Sequence, residues 1–261
     1  MPDKQNQDIV FAEERRERIA GMLEASKRVS VTELCDEFDV SAATIRSDLR
    51  AMQQAGLLTR THGGAIARSQ TAFEQKSPAK RVQHVTEKKR IAEAALAIIQ
   101  NGDTILLDTG TTTMELARQL HRRKDLKVVT NDLDIARMLE DTAPFEVIVL
   151  GGMLRRGFHC TIGYLGLMDT TDLRVDKAFL GANAFSVDNG ATTPAVQQAE
   201  TKRAMLAMAN QSILLCDSSK IGNAAFARFA PATAFDVLIT DALTDEQQTQ
   251  LQELAVDVVI A

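Results

Sequence analysis

The sequence predicts an α/β chain in two parts: a small N-terminal winged helix-turn-helix, then a larger domain built on a mostly parallel sheet. Three observations predict it. Two short amphipathic helices meet across a two-residue break at Asp39-Val40, each opened by a serine cap. A strand-turn-strand pattern centred on Gly63-Gly64 follows them. Farther along, apolar strands of about 5 residues alternate with helices of about 10 to 14, the pattern of a parallel sheet covered on both faces.

The first helix, Arg15 to Ala25, carries Ile19, Met22 and Leu23 on one stripe. Ser30-Val31-Thr32-Glu33 has the spacing of a capping box, with Val29 and Leu34 as its hydrophobic staple. Val31, Leu34, Cys35 and Phe38 repeat at i, i+3, i+4 and i+7, and this helix ends at Phe38. Ser41 caps the next, Ser41 to Ala55, where Val40 is placed to staple to Ile45. Ile45, Leu49 and Met52 share its buried face. Ala42, Ala43, Arg46, Ser47 and Arg50 are left on the other faces: small residues, a hydroxyl and two guanidinium groups, suited to lie against a DNA major groove. After Gly56, Leu57 to Thr61 reads as a strand, His62-Gly63-Gly64 as a turn and Ala65-Ile66-Ala67 as the returning strand. Arg60 and His62 sit beside that turn, where they can touch phosphate or enter a minor groove.

Residues 69–80 are polar with one proline and read as a linker. The expected division is therefore 10–68 for the DNA-binding module, 69–80 for the linker and 81–261 for an effector-binding and oligomerisation domain. In the last, Lys88 to Ile99 reads as a helix with Ile91, Ala94, Ala95 and Ile98 on one face. Thr104 to Asp108 is a buried strand. Thr112 to His121 is a helix closed by Arg122, Arg123 and Lys124, cations that suit its C-terminal dipole. Lys127 to Thr130, Phe145 to Leu150, Lys177 to Gly181, Ser212 to Cys216, Asp236 to Thr240 and Val256 to Ile260 read as further strands. Helices are expected at Leu133 to Leu139, near Gln197 to Ala209 and near Glu246 to Leu254.

The chain has 261 residues, too many for one small DNA-binding module and enough for two domains. It holds no run of about 18 apolar residues, against a membrane span. Its polar first residues lack a signal-peptide core. Three scattered cysteines point to a reducing, cytoplasmic compartment rather than a disulfide framework. Four scattered histidines offer no metal-ligand spacing, so neither metal nor cofactor is expected. The net charge of −5 argues by itself against nucleic acid, but its distribution matters more. Seven basic residues face two acids between Arg68 and Arg90, as phosphate contacts or as a solvated connector, while Arg46, Arg50 and Arg60 make DNA-facing charge local.

In parallel sheets, ligands bind beyond the carboxyl ends of the strands, and polar residues cluster there. Asp108-Thr109-Gly110-Thr111-Thr112-Thr113 joins a strand to a helix. Gly110 allows close backbone approach, and threonine hydroxyls and the first helical amides make a plausible phosphate cradle, though neither a P-loop nor a dinucleotide fingerprint. Later strand ends bring Asn131, Gly151-Gly152 with Arg155 or Arg156 for a bidentate anion contact, Asn183, Glu200 with Lys202, and Lys220. Lys202, Lys220 or Arg155 is placed to balance the charge of a bound phosphate. Each lysine has a bland alternative as a surface residue.

Arg15, Ile19 and Leu23, then Ser41 with Thr44, Ile45, Arg46, Asp48 and Leu49, resemble the signature of DeoR-type repressors, and Arg60-Thr61-His62-Gly63-Gly64-Ala65 is similar to that family's wing. The resemblance extends from about residue 13 to the end. In the second half, Asp108–Thr113 looks like the family's phosphate loop, and Thr130-Asn131, Gly151-Gly152 with Arg155, Glu200 with Lys202 and Asp217-Ser218-Ser219-Lys220 match its later motifs in order. The resemblance implies a Rossmann-like effector domain similar to ribose-phosphate isomerases. It also implies double-stranded operator DNA as partner, a phosphorylated sugar or sugar derivative as effector whose hydroxyls Asp108, Asn131 or Glu200 would meet, and a homodimer or homotetramer. Phe158, His159 and Asn183 are less patterned positions where the ligand's identity would lie.

Two rival readings follow. A sugar-phosphate isomerase or deaminase with an accessory DNA-binding domain would use Glu200 and Asp108 as base and acid. No histidine falls in the matched site motifs, and the N-terminal pattern favours a regulator, so no catalytic residue is assigned. A metabolite-independent architectural DNA binder leaves the cradle residues unexplained.

Overall fold

The computed structural model describes residues 12–26, 28–54, 57–67, 74–163 and 173–261. Ala55, Gly56, Arg68, residues 69–73 of the expected linker and the first eleven residues lie outside them. The chain divides into two compact units between Gln75 and Lys76.

The first unit contains α1 (Ala12–Ser26), β1 (Arg28–Ser30), α2 (Val31–Phe38), α3 (Ala42–Gln54), β2 (Leu58–Thr61) and β3 (Gly64–Ala67). The Ser30–Glu33 capping box forms in both directions, and Asp39 closes α2 in a left-handed conformation. Ser41 Oγ accepts from Thr44 N at 3.2 Å and opens α3. Ile19, Leu23, Leu34, Ile45, Leu49 and Met52 form the core. Strand β1 was not expected. It pairs antiparallel with β3, so the wing is a three-stranded sheet in the order β1-β3-β2. That pairing also explains Gly64. Neither Gly63 nor Gly64 takes a positive φ, so the hairpin does not need their conformational freedom. A Cβ on Gly64 would instead lie 2.0 Å from Val29 O.

The second unit begins with α4 (Ser77–Arg81), which occupies the end of the expected linker, with Pro78 in its first turn. It continues through α5 (Val85–Ile98), β4 (Thr104–Leu107), α6 (Thr111–Ala117), β5 (Lys127–Thr130), α7 (Leu133–Thr142), β6 (Glu146–Val149), β7 (Met153–Arg155), β8 (Cys160–Ile162) and β9 (Val175–Gly181). Then come β10 (Ala184–Ser186), β11 (Gly190–Thr193), α8 (Val196–Met208), β12 (Ala209–Leu215), β13 (Ala227–Ala230), β14 (Val237–Thr240), α9 (Asp245–Glu253) and β15 (Asp257–Ile260). Seven strands form one sheet in the order β15-β14-β12-β9-β4-β5-β6, and every pairing is parallel. Alternate residues feed two cores. Ile105, Leu107, Val128, Phe179, Ile213 and Ile239 pack with α5, α6 and α7. Leu106, Val129, Leu180, Leu214 and Leu238 pack with α8 and α9. A chain apolar on both faces has this reason to form a buried parallel sheet.

Three expected details change. The buried arc of α5 is Lys88, Ile91, Ala92, Ala95 and Leu96, because the helix packs on α6 as well as on β12 and β14; Ala94 and Ile98 are half-buried. The helix expected to reach His121 stops at Ala117, with a 3-10 turn at Leu120–Arg122. Its expected closing cations serve α5 instead: Arg123 donates to Ile99 O and Leu96 O, both at 2.7 Å, and Arg122 pairs with Glu93. The antiparallel β7–β8 hairpin and the small β10-β11-β13 sheet were too short and irregular to read in sequence.

Candidate functional site

In the first unit, helical geometry places Ala43, Arg46, Ser47 and Arg50 at i, i+3, i+4 and i+7 on one exposed stripe of α3. Ala42 and Thr44 flank it half-buried, and Ser41 is exposed at its start. The hydroxyls of Ser41 and Thr44 lie 2.9 Å apart within the cap, so both have structural work there. The opposite stripe holds Ile45, Asp48, Leu49 and Met52, all buried. Sequence reasoning gave Asp48 no role. Its two oxygens accept from Arg15 Nε at 2.7 Å and Arg16 Nε at 2.9 Å, which fixes α3 against α1. On the wing, Arg60 is half-buried and His62 is exposed.

In the second unit, the strand order reverses between β4 and β9, with β5 and β6 on one side and β12, β14 and β15 on the other. Such a switch point opens a crevice at the carboxyl ends of the strands. Asp108 stands there, 1% exposed. Its Oδ2 accepts from Gly181 N at 3.0 Å and pairs with the Lys202 ammonium, which also donates to Gly181 O at 2.9 Å. Asp108 Oδ1 is buried and has no hydrogen-bond partner among the described residues. A buried acceptor in that state costs about 1–3 kcal/mol.

Several expected ligand contacts turn inward. Asn131 is 2% exposed; its Oδ1 accepts from Thr109 N at 3.1 Å and its Nδ2 donates to Thr161 O at 2.8 Å. It therefore positions the loop. The Thr109 hydroxyl donates to Asp132 at 2.8 Å and that of Thr113 to Gly110 O at 2.9 Å, so the threonine hydroxyls do not all point one way. Thr111 is half-buried, and Thr112 is buried. The amides of Thr111 to Thr113 precede the first helical bond, from Met114 N to Gly110 O. Gly110 has φ 165°, an extended conformation, and a Cβ there would meet only Thr113 Oγ1 at 3.1 Å; it occupies no left-handed turn. Gly152 has the stricter need, because a Cβ would lie 2.4 Å from Gly163 O at the base of the β7–β8 hairpin. Gly151 beside it is exposed with open space around it.

Helix α8 sends Gln198 and Lys202, one turn apart, into the interior. Glu200 lies about 200° around the helix from Gln198, exposed on the other face, and this removes it from the expected sugar contacts. Gln198 is the α8 residue that faces the interior beside Arg155. Its Oε1 accepts from Arg155 Nη1 at 2.8 Å, and Thr193 Oγ1 lies 3.0 Å from both Gln198 Oε1 and Asn183 Oδ1. The Arg155 guanidinium stacks 3.8 Å from the Phe158 ring centroid, and Arg156 is exposed.

The cationic part of the site was half legible. Lys220 pairs with Asp217 at 2.8 Å at the end of β12. Burial pushes the Asp217 carboxyl up, but the Lys220 charge and bonds from Lys220 and Ser219 outweigh it and hold it at about 2. Burial works against the charge on Lys220 too, and Asp217 overcomes it, leaving that ammonium above its usual range. Lys88 was missed altogether. It is 4% exposed, and burial first and the Lys220 charge second bring it down to about 8. Its ammonium donates to Lys80 O and Gln83 O, both at 2.5 Å. With Thr111, Arg81, Lys89, Glu115 and Arg118 it lines a cavity of about 170 Å³. Lys202 is 2% exposed, and its ammonium is held by Asp108 and Gly181 O.

Among the described residues no group of acidic, histidine and cysteine side chains could hold a metal, and no helix is long and apolar enough to cross a membrane.

Comparison with known proteins matches residues 15–71 to the DeoR-like helix-turn-helix domain and residues 83–242 to the DeoR C terminal sensor domain. The chain is 35% identical to the HTH-type transcriptional regulator GlpR of Haloferax volcanii, over 94% of this chain and 96% of that one. It is 32% identical to GolR of Listeria innocua, over 89% and 91%. It is also 32% identical to the transcriptional repressor AccR of Agrobacterium fabrum, over 89% and 90%. Among solved structures, ribose 5-phosphate isomerase from Plasmodium falciparum aligns with a TM-score of 0.38 and 15% identity, covering 51% of this chain and 52% of that one. At that distance the likeness has no bearing on chemistry. Matched at both ends by the family's models and along its length by named regulators rather than enzymes, the chain belongs to the DeoR family of DNA-binding transcriptional regulators.

Proposed function

We propose that this regulator represses a sugar-catabolism operon and is released from its operator by a phosphorylated sugar or sugar derivative bound between the ends of β4 and β9. One observation carries the reading. At a single sheet edge, a buried acceptor without a partner, Asp108 Oδ1, accompanies a buried ammonium, Lys88 Nζ, whose bonds go to main-chain carbonyls. A molecule that ends in hydroxyls at one side and a phosphate at the other fills the acceptor and offers the ammonium a charged partner in place of neutral carbonyls. Lys88, Lys220, the Thr111 and Thr112 hydroxyls and the amides of Thr111 to Thr113 take the phosphate. Asp108, Gln198, Arg155 and Asn183 meet the sugar. Thr109, Gly110, Thr113, Asn131, Gly151 and Gly152 shape the loops, and Lys202 holds Asp108 in place.

On DNA, the α3 stripe of Ala43, Arg46, Ser47 and Arg50 faces base edges in the major groove, flanked by Ser41, Ala42 and Thr44, while Arg60 and His62 meet the backbone. One such head covers too few base pairs for genomic specificity, so the working form is a homodimer or homotetramer. Calorimetry of the full chain with a phosphosugar panel, beside gel shifts on DNA selected from a random library, tests the reading. One sugar phosphate binds without turnover and releases the DNA; absence of binding by every phosphosugar overturns it.

A further inference from the structure

Helix α4 is the first element of the second unit, reached directly in sequence from the head, and none of its residues is buried. Five residues do not make a stable helix unaided. Its attachments are therefore informative, and they end on the candidate ligand site from two sides. Lys88 Nζ holds Lys80 O, in α4, and Gln83 O just beyond it. On the other side, Ser77 N donates to Gly157 O at 3.2 Å, Ser77 Oγ to Phe158 O at 3.3 Å, and Lys80 Nζ lies 5.9 Å from the Phe158 ring centroid. Phe158 in turn is stacked by Arg155, which bonds Gln198. A third clamp is Arg81, which lines the Lys88 cavity and pairs with Asp134; His159 Nδ1 lies 3.0 Å from the same carboxylate.

We propose that α4 is the coupling element of this regulator: a ligand that takes the Lys88 ammonium and the Arg155–Gln198 pair withdraws the bonds that dock α4, and so frees the chain segment leading to the DNA-binding head. The inference rests on the phosphosugar reading of the site. Ligand and α4 compete for the same donors, so each weakens the other by an equal factor. Weakening α4 at a distance from the ligand must then tighten ligand binding.

Asp134→Ala tests this beside Arg81→Ala: both cut the Arg81 clamp, but only the first leaves a guanidinium free beside the Lys88 cavity, so tightening seen in Asp134→Ala alone overturns the coupling. The probes are inorganic phosphate, ribose 5-phosphate, fructose 1-phosphate and glucose 6-phosphate, titrated by calorimetry into the full chain. Hydrogen exchange follows the Ala79 and Lys80 amides, which bond to Lys76 O at 3.1 and 3.3 Å. A probe that binds the wild type should speed their exchange on the order of tenfold, and Asp134→Ala should speed it without probe and tighten the probe by a similar factor. A probe that binds while exchange at 77–83 is unchanged or slowed overturns the coupling and leaves the effector reading standing. Tightening absent in Asp134→Ala, despite faster exchange, also overturns it. If no probe binds the wild type, the effector reading falls and the coupling with it.

Discussion

Each unit buries an aspartate against a basic side chain, and the two pairs are finished to different degrees. In the head, both oxygens of Asp48 are occupied, one by Arg15 and one by Arg16. In the sensor domain, Asp108 uses one oxygen on Lys202 and Gly181 and leaves the other buried without a partner. A charge taken out of water is costly until its hydrogen-bonding capacity is filled. Asp48 is filled by folding alone, so its job is to set α3 against α1. Asp108 is filled only in part by folding, which is the opening the proposed ligand hydroxyl would use. The functional faces differ in the same sense. The α3 stripe is exposed, and on the proposed reading DNA meets it by releasing counterions, whereas Asp108, Lys202 and Lys88 are buried.

The largest effect expected is at the finished pair. Asp48→Ala leaves the Arg15 guanidinium buried without its carboxylate and should cost the head about 3–5 kcal/mol. Calorimetric unfolding should show the head's transition move down while that of the sensor domain stays. A loss under about 1 kcal/mol would place Asp48 among ordinary surface pairs and dissolve the contrast with Asp108.

Lys88 tests the unfinished side. Lys88→Gln should weaken phosphosugar binding by about 1.5–3 kcal/mol, the worth of a hydrogen bond to a charged group. The wild type should also show a pH signature. A phosphate monoester is already a dianion above pH 7, so its charge is constant there. Lys88 loses its proton through about 8, and affinity should fall on the order of tenfold between pH 7 and 9. Stability moves the other way. The unfolded chain keeps this lysine charged up to its ordinary value of 10.5 while the folded one releases the proton near 8, so this group destabilises fully below 8, and stability rises from 8 to 10.5. Calorimetry across that range, with Lys88→Gln flat in both respects, checks it; an affinity independent of pH would move the phosphate away from Lys88.

Legibility in the sequence followed the range of the interaction. The Ser30 and Ser41 caps and the end of α2 at Phe38 were readable because each rests on contacts within a few residues. Strand β5 and the parallel sheet pair over about twenty residues or more, and were readable because the apolar runs alternating with helical patterns are themselves local. The site was readable as a place, and its division of labour was not. A polar residue in a loop after a strand looks available to ligand, but Asn131 and Thr109 spend their groups on Thr161 and Asp132, more than twenty residues away. Glu200 and Lys202 look alike in sequence and face opposite sides of α8. Lys88 stands in the run Lys88-Lys89-Arg90, which reads as a solvated face; its spacing of three before Ile91 was the only local sign of burial.

At the DNA face, the α3 stripe should separate base reading from positioning. Arg46→Ala should cost about 1–3 kcal/mol on selected DNA and relax preference at one base pair, if its guanidinium reads a guanine. The side chain is exposed and no buried partner depends on it, so folding should be unchanged. Gel-shift titration against selected and scrambled DNA decides, and unchanged affinity in a folded Arg46→Ala protein removes the helix from the groove.

The smallest effect expected is at Arg60, which is half-buried on β2 with its head beside the turn. A phosphate contact carries no sequence information, so Arg60→Ala should weaken selected and scrambled DNA equally. Losing one phosphate contact should flatten the slope of log affinity against log salt by about 0.9 per head. Between 50 and 200 mM salt that amounts to about threefold in affinity, small but measurable because the slope is taken over several points. A changed base preference with the slope intact would put Arg60 in the minor groove as a reader. The wing would then share sequence recognition with α3, and the contrast between a reading helix and a positioning sheet within the head would no longer hold.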